Sequence, residues 1–324
     1  MEPVTRILIT GAAGFIGFHT ARSLLRSGHQ VVGFDNLSPY YDVSLKKARL
    51  KELSAQPNFE FIEGDVHHVN QVLQVFETLR PNYVLHLAAQ TGVRHSLKAP
   101  RDYLDANLSG FLNILEGARH HETEHVVYAS SSSVYGANDQ VPFRESDRVE
   151  HPVSLYGATK RANELMAHSY AHLYGIPLTG MRFFTVYGPW GRPDMAYFLF
   201  SEAILSGRPI QVFNQGACSR DFTYIDDVVR VAKALIETPP VGDTPARILN
   251  VGRGEPASLL RMIELLEENL GQQAQKELLP MQPGDVETTH ADITALCDLI
   301  DFKPQVSLEE GIARFVSWYR RYRG

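Results

Sequence analysis

Tyr156 and Lys160 stand four residues apart in YGATK, a spacing that puts both side chains on one face of a helix. A phenol and an ammonium that meet at one reacting atom can carry a proton to and from a hydroxyl, provided the phenol is made acidic. Its ordinary pKa is about 10, and lowering it to about 7 takes roughly 4 kcal/mol of preferential phenolate stabilisation. One ammonium supplies part of that; a cationic nicotinamide ring on the other side would supply more. A helix-surface pair without chemistry is the plain alternative, so the pair gains its meaning only beside a dinucleotide site.

Such a site is legible near the N-terminus. Gly11, Gly14 and Gly17 in TGAAGFIG directly follow the apolar run RILIT (6–10) and open a segment of helical period. Glycine permits the tight turn and the close backbone approach, and the helix N-terminus behind it offers N–H groups and a positive dipole end to a pyrophosphate. The second apolar run ends in Asp35, eighteen positions after Gly17, where a carboxylate can accept both ribose hydroxyls of an adenosine and repel a 2′-phosphate. No Arg or Lys lies between Asp35 and Lys46, so NAD is expected as the cofactor rather than NADP. Asp65, in FIEGDV after the third run, either meets the adenine edge or simply closes its strand; the sequence leaves both open.

The elements that must position these residues alternate. Apolar runs RILIT (6–10), QVVGF (30–34), FEFI (59–62), YVLHLA (83–88), HVVYAS (125–130) and PLTGMRF (177–183) are separated by stretches of three- and four-residue apolar spacing at 15–27, 43–55, 68–79, 101–120 and 156–174. Strand and helix in alternation mean βαβ units, and nearly continuous apolar strands mean helices on both faces: an α/β fold with a doubly wound parallel sheet. After about residue 184 the rhythm loosens, with Gly and Pro at 188, 189, 191 and 193 and PVGDTP at 240–245. The expected division is a cofactor-binding domain over 1–183 that carries Tyr156 and Lys160, and a smaller mixed α/β substrate lobe over 184–324, with some chain crossing between them. The cations Lys46, Lys47, Arg49 and Lys51 read as a solvated helix face, with an anion-steering role left open by their position near the cofactor end.

Composition narrows the partners. Lys and Arg number 31 against 37 Asp and Glu, a net charge of −6, the wrong sign for gripping nucleic acid or an anionic lipid surface through the overall field. Any anionic ligand must meet a local basic site. No apolar run reaches the roughly 18 residues of a membrane span, and the N-terminus lacks the pattern of a signal peptide, so a cytoplasmic location is expected. Cys218 and Cys297 have no metal-ligand spacing; neither a disulfide framework nor a metal site is suggested. The pairs His67–His68 and His120–His121 fall in segments read as helical and count as solvated.

The fifth run leads straight into Ser130, Ser131, Ser132 and Ser133. Ligands in such sheets sit beyond the carboxyl ends of the strands, so one or more of these hydroxyls should face a substrate. Taken together, TGAAGFIG, Asp35–Asn36, HLAAQ (86–90), SSSSVYG (130–136), YGATK, RFFTVYGP (182–189), RDFTYIDD (220–227) and PGDVETTHADI (283–293) resemble the extended short-chain dehydrogenase/reductase family, in its nucleotide-sugar epimerase and dehydratase branch. DNLSPYYDVSLKKARL (35–50) and GPWGRPDMAYFLF (188–200) are most similar to members acting at carbon 4 of a UDP-uronic acid.

That resemblance implies a Rossmann fold, a UDP-sugar substrate, and a homodimer pairing helices near 101–120 and 156–174. It implies that Ser131, Ser132 or Ser133 and Tyr156 bind the sugar 4-hydroxyl while Lys160 holds the nicotinamide ribose. Phe15, Ile16, Asn36, Val66 and Ala88 join the cofactor contacts by the same likeness. Arg94, Thr185, Arg192, Arg220 and Asp285 become candidate substrate ligands. Arg192 has the fork to grip a carboxylate, Thr185 stands where neutral-sugar relatives commonly carry Asn, and Arg220 resembles the diphosphate ligand, with an ion pair to Asp221 or Asp226 as its plain alternative.

Relatives that dehydrate or decarboxylate the sugar carry acid–base residues where this chain has Ser132 and Ser133. Epimerisation at carbon 4 through a transient 4-keto sugar is therefore the expected chemistry. A UDP-glucose or UDP-N-acetylhexosamine epimerase is the runner-up; a UDP-glucuronate decarboxylase and a non-catalytic NAD-sensing regulator stand behind it.

Overall fold

A computed structural model describes residues 5–282 and 284–323; Pro283, at the head of the PGDVETTHADI match, lies outside them. In chain order it contains β1 (Arg6–Thr10), α1 (Phe15–Arg26), β2 (Gln30–Asp35), α2 (Val43–Ser54), β3 (Phe59–Glu63), α3 (Val69–Leu79) and β4 (Tyr83–His86). Then come α4 (Pro100–Tyr103), a π-helical stretch Leu104–Ser109, α5 (Gly110–His120), β5 (His125–Ser131), α6 (Leu155–Tyr174), β6 (Leu178–Phe183) and β7 (Thr185–Tyr187). The remainder holds α7 (Ala196–Leu205), β8 (Ile210–Val212), β9 (Ser219–Tyr224), α8 (Ile225–Ile236), β10 (Ala246–Val251) and β11 (Pro256–Ser258). It closes with α9 (Leu259–Leu270), β12 (Lys276–Leu278), α10 (Thr294–Ile300) and α11 (Leu308–Arg323).

The chain forms two compact units. One comprises the described residues up to Asn138, Arg148–Phe183 and Val229–Leu249; the other comprises Asp139–Asp147, Phe184–Val228 and the chain from Asn250 onward. In the first, a seven-stranded sheet runs in the order β10-β6-β5-β4-β1-β2-β3, with parallel register from β1–β2 through β5–β6. This is the doubly wound Rossmann arrangement, whose switch point lies between β1 and β4. Ile7, Leu8 and Ile9 of β1 and Val126 and Val127 of β5 are buried on both faces, as strands sandwiched between helix layers must be. Val72, Val75 and Phe76 of α3 and Phe111, Ile114 and Leu115 of α5 supply one covering layer.

The seventh strand, β10, comes from ARILNV beyond residue 184 and was not among the expected sheet strands. The segment expected as one helix over 101–120 is α4 and α5 joined through the π-helical stretch, an irregularity that often marks a functional position. The second unit is mixed α/β, with a three-stranded sheet β11-β9-β7 and a two-stranded sheet β12-β8.

Candidate active site

The glycine turn is closed on itself. Gly14 N donates to Gly11 O at 2.9 Å, Gly11 has φ +72°, and a Cβ on Gly17 would stand 2.2 Å from Gly11 O. Only glycine fits. Gly14 caps α1 with no side-chain hydrogen bond, and the first turn holds no acidic residue, so the helix N-terminus beside Phe15 and Ile16 is suited to a pyrophosphate. A Cβ on Gly11 would meet Ala88 N at 2.8 Å, which brings β4's end and Ala88 against the same turn. The residues present therefore fit a dinucleotide.

Asp35 ends β2 beside that turn. Its Oδ2 accepts from Ala13 N at 3.1 Å and its Oδ1 from Leu37 N at 2.9 Å. Of the cations on α2, Lys47 and Lys51 lie on the exposed face expected of them, while Lys46 and Arg49 do not. Lys46 is buried with Nζ 3.6 Å from Asp35 Oδ1, and Arg49, fully buried, donates to Ala13 O at 2.9 Å and Tyr41 Oη at 2.8 Å. Exposed helix faces and buried cation faces have the same sequence pattern when the wall opposite is polar. Asn36 Nδ2 donates to Asp65 Oδ2 at 2.6 Å, and Asp65 also faces His67 Nδ1 at 2.8 Å. Burial pushes the Asp65 carboxyl up, but the Asn36 and His67 hydrogen bonds outweigh it and the net shift is downward. Val66 O accepts from Asn113 Nδ2 at 2.9 Å.

His67 and His68 precede α3 instead of lying in a helix, and His67 is engaged with Asp65; His120 ends α5 and His121 follows it. Among the described residues no group of three or more His, Cys, Asp or Glu could hold a metal ion.

The helix that carries both Tyr156 and Lys160 is α6. Ser154 caps α6 through Gly157 N at 3.0 Å. Tyr156 sits in its first turn with its ring edge-on to Tyr103, centroids 6.2 Å apart. Lys160, one turn on, is 2% exposed and donates from Nζ to Ala129 O at 2.9 Å. Burial pulls its pKa down to about 8, with the Glu164 charge acting in the opposite sense. A Cβ on Gly157 would stand 2.5 Å from Ser133 O, so the helix presses directly against the serine turn.

In that turn Ser131 Oγ accepts from Ser133 N and donates to Ser133 Oγ, both at 3.2 Å, and Ser132 and Ser133 are half-buried. Ser130 points elsewhere, donating to Glu164 Oε1 at 2.6 Å. Arg94 is exposed ahead of the short 3-10 turn His95–Leu97. Sequence reasoning missed Asn107. In the π-helical stretch it exchanges hydrogen bonds with the Gln90 backbone and donates to Thr159 Oγ1 at 3.0 Å, tying the HLAAQ segment to α6. An Asn inside an otherwise helical apolar stretch was its only signal.

In the second unit Thr185 opens β7 opposite Phe222 of β9. Arg192 carries a bidentate carboxylate, but that carboxylate is its own neighbour's: Nε donates to Asp194 Oδ1 at 3.0 Å and Nη2 to Asp194 Oδ2 at 2.5 Å. Arg220 does not take the ion pairs with Asp221 or Asp226 that were its alternative. It donates to Asp285 Oδ1 at 2.8 Å and to the Ser219 and Glu287 carbonyls, so Arg220 and Asp285 are brought together. Asp221 instead gathers the backbone N–H groups of Arg253, Gly254 and Ala291.

Residues 7–252 match the model of the NAD dependent epimerase/dehydratase family. The chain belongs to that family, and NAD is its cofactor. It is 49% identical over 329 residues to a probable UDP-glucuronate 4-epimerase of Rhizobium meliloti (strain 1021), covering 97% of this chain and 96% of the relative. It is 44% identical over 330 residues to UDP-glucuronate 4-epimerase 4 of Arabidopsis thaliana, covering 98% of this chain and 75% of that one. A crystal structure of UDP-glucuronic acid 4-epimerase from Bacillus cereus, in complex with UDP-glucuronic acid and NAD, superposes with a TM-score of 0.91 at 34% identity, covering 98% of this chain and all of that one. No helix among the described residues is long and apolar enough to cross a membrane.

Proposed function

We propose that this chain inverts carbon 4 of a UDP-uronic acid, interconverting UDP-glucuronate and UDP-galacturonate. The observation that carries the reading is Lys160, buried one turn from Tyr156 and held against the serine turn's strand at Ala129 O, in a chain that resembles uronate epimerases over nearly its whole length. Tyr156 takes the proton of the 4-hydroxyl and later returns one, with Lys160 stabilising its phenolate form. Ser131, Ser132 or Ser133 orients that hydroxyl. NAD, when bound, supplies a reversible acceptor for the hydride of carbon 4. The sugar, briefly a 4-ketone, turns over before reduction from its other face. Gly11, Gly14, Phe15, Ile16, Gly17, Asp35, Asn36, Asp65, Val66 and Ala88 hold the dinucleotide.

A 4-keto uronic acid is a β-keto acid and loses carbon dioxide readily unless its carboxylate is held. Arg192 and Thr185 are our candidates for that grip, Arg220 and Asp285 for the diphosphate end, and Arg94 for a further contact. Ser132 and Ser133 in place of acidic residues leave the site without a proton-transfer group for dehydration or decarboxylation. One observation favours the neutral-sugar reading: the Arg192 fork is engaged by Asp194. Incubation with UDP-glucuronate and, separately, UDP-glucose, with the 4-epimers resolved, distinguishes the two. Turnover of the neutral sugar alone would remove the uronate assignment.

We further propose a homodimer through α5 and α6, whose Leu112, Leu165 and Leu173 are 40%, 54% and 65% exposed. The working location is the cytoplasm, where UDP-sugars and NAD are pooled.

A further inference from the structure

We infer that Glu164 is a positioning residue for the catalytic pair, a buried and fully hydrogen-bonded carboxylate one helical turn beyond Lys160 that locks α6 to the serine turn and sets the electrostatics around that lysine. The inference rests on the reading that Tyr156 and Lys160 carry the chemistry. Glu164 follows Lys160 by one helical turn, on the same face of α6. It is 3% exposed, and both its oxygens are used. Oε1 accepts from Ser130 Oγ at 2.6 Å and Arg182 Nε at 2.8 Å; Oε2 accepts from Arg182 Nη2 at 2.9 Å and Arg161 Nη1 at 3.0 Å. Arg182, on β6, donates from Nη1 to Tyr135 Oη at 3.0 Å.

Ser130 immediately precedes Ser131, and Tyr135 ends the 3-10 turn Ser132–Tyr135. One carboxylate thus connects both ends of the serine turn to the helix that carries Tyr156. A half-satisfied buried ion is costly, and this one has every partner it needs.

The same carboxylate sets the local charge. Lys160 is buried, and burial alone favours its neutral form. Two charged or titratable groups act on it electrostatically: Glu164, one turn on along its own helix, and His86, from β4; its ammonium hydrogen bond goes to Ala129 O on β5. Burial and the Lys160 charge together hold His86 neutral, with a pKa pulled down to about 3. Glu164 opposes the burial of Lys160. Neutralising it would remove the charge that opposes the burial of Lys160 and leave the Arg182 and Arg161 guanidinium groups without their counter-ion, so Lys160 would release its proton at lower pH.

The test is the pH dependence of kcat with UDP-glucuronate, alongside thermal melts and bound-NAD content. In the unaltered enzyme activity should fall above about pH 8 as Lys160 loses its proton. Glu164→Gln preserves the shape and should shift that alkaline limb down by about one pH unit. Glu164→Asp keeps the charge and should leave the limb in place even where kcat drops. If Glu164→Gln does not fold, Arg161→Gln is the second arm. Its side chain is one-third exposed, and removing that cation strengthens the Glu164 field, so the limb should move upward. An unmoved limb in folded Glu164→Gln, or in Arg161→Gln in its stead, overturns the inference. Retained activity in Tyr156→Phe would instead overturn the underlying reading, so the two failures are distinguishable.

Discussion

Lys46 Nζ lies 3.6 Å from Asp35 Oδ1, with both side chains buried and Arg49 anchored on Ala13 O close by. The carboxylate that would hold the adenosine ribose therefore carries its own counter-cation, supplied by a helix that starts eight residues further along the chain. At the adenosine ribose Asp35 would exclude a 2′-phosphate by charge, and with Asp35 neutralised the Lys46 ammonium beside it would favour one.

Asp35→Asn should consequently raise the affinity for NADP relative to NAD by about tenfold, equivalent to about 1.4 kcal/mol. Lys46→Met should weaken binding of both cofactors and leave NADP the more disfavoured. Titration of the cofactor-free protein with each dinucleotide, followed by calorimetry, gives the ratio. An unchanged ratio in Asp35→Asn would mean that the ribose lies elsewhere.

Tyr156→Phe removes one oxygen from a ring whose packing against Tyr103 involves its edge. The ring contact stays and the proton carrier goes. Epimerisation should fall by at least about a hundredfold with NAD still bound and the melting temperature within a few degrees of the parent. Product formation from UDP-glucuronate and absorbance of extracted cofactor are the two measurements. A near-normal rate would exclude Tyr156 as the base.

These groups differ in how far the sequence discloses them, and the reasons are physical. Gly11, Gly14, Gly17 and Asp35 are legible because backbone conformation and strand-end position dictate residue type. Tyr156 and Lys160 are legible because helical spacing fixes their common face. Lys46 and Arg49 are not: period tells that a helix has a polar side, but only the tertiary fold tells that this side meets Asp35 and Ala13 instead of water. Asn107 is hidden for a similar reason, since its role depends on a π-helical irregularity that no residue pattern announces. The seventh strand, β10, escapes because its pairing joins residues about 70 positions apart in sequence, Leu178 N with Pro245 O among them. Arg192 and Asp194 are visible as neighbours, yet their mutual bidentate grip depends on how the chain turns through Pro193.

That grip makes Arg192 a discriminating position. If it also serves the substrate, Arg192→Lys keeps the charge and loses the planar fork, which a point-like ammonium cannot reproduce. The expected result is a KM for UDP-glucuronate raised about tenfold or more, in line with the 1.5–3 kcal/mol typical of hydrogen bonds to charged groups. A UDP-pentose should appear as the loosely held 4-keto acid loses carbon dioxide. Mass analysis of the products checks both. Unchanged KM with no pentose would assign Arg192 to the loop alone, as the partner of Asp194.

Acid stability should depend on two histidines held neutral in the core. Burial pulls His125 down to about 4 and, with Lys160 adding to it, His86 down to about 3, against about 6.5 in an unfolded chain. Between those values the unfolded chain binds protons that the folded one refuses. Stability is therefore full above about pH 6.5 and falls as pH drops towards 4, by a few kcal/mol for each group at order of magnitude. His125 sits between Thr179 Oγ1 at 2.8 Å and Ile236 O at 3.2 Å. His125→Gln can keep one donor and one acceptor there without titrating. Melting temperatures at pH 7.5 and 4.5 should differ less in His125→Gln than in the parent, by several degrees. Parallel pH profiles for the two proteins would show that His125 accepts its proton without unfolding the sheet.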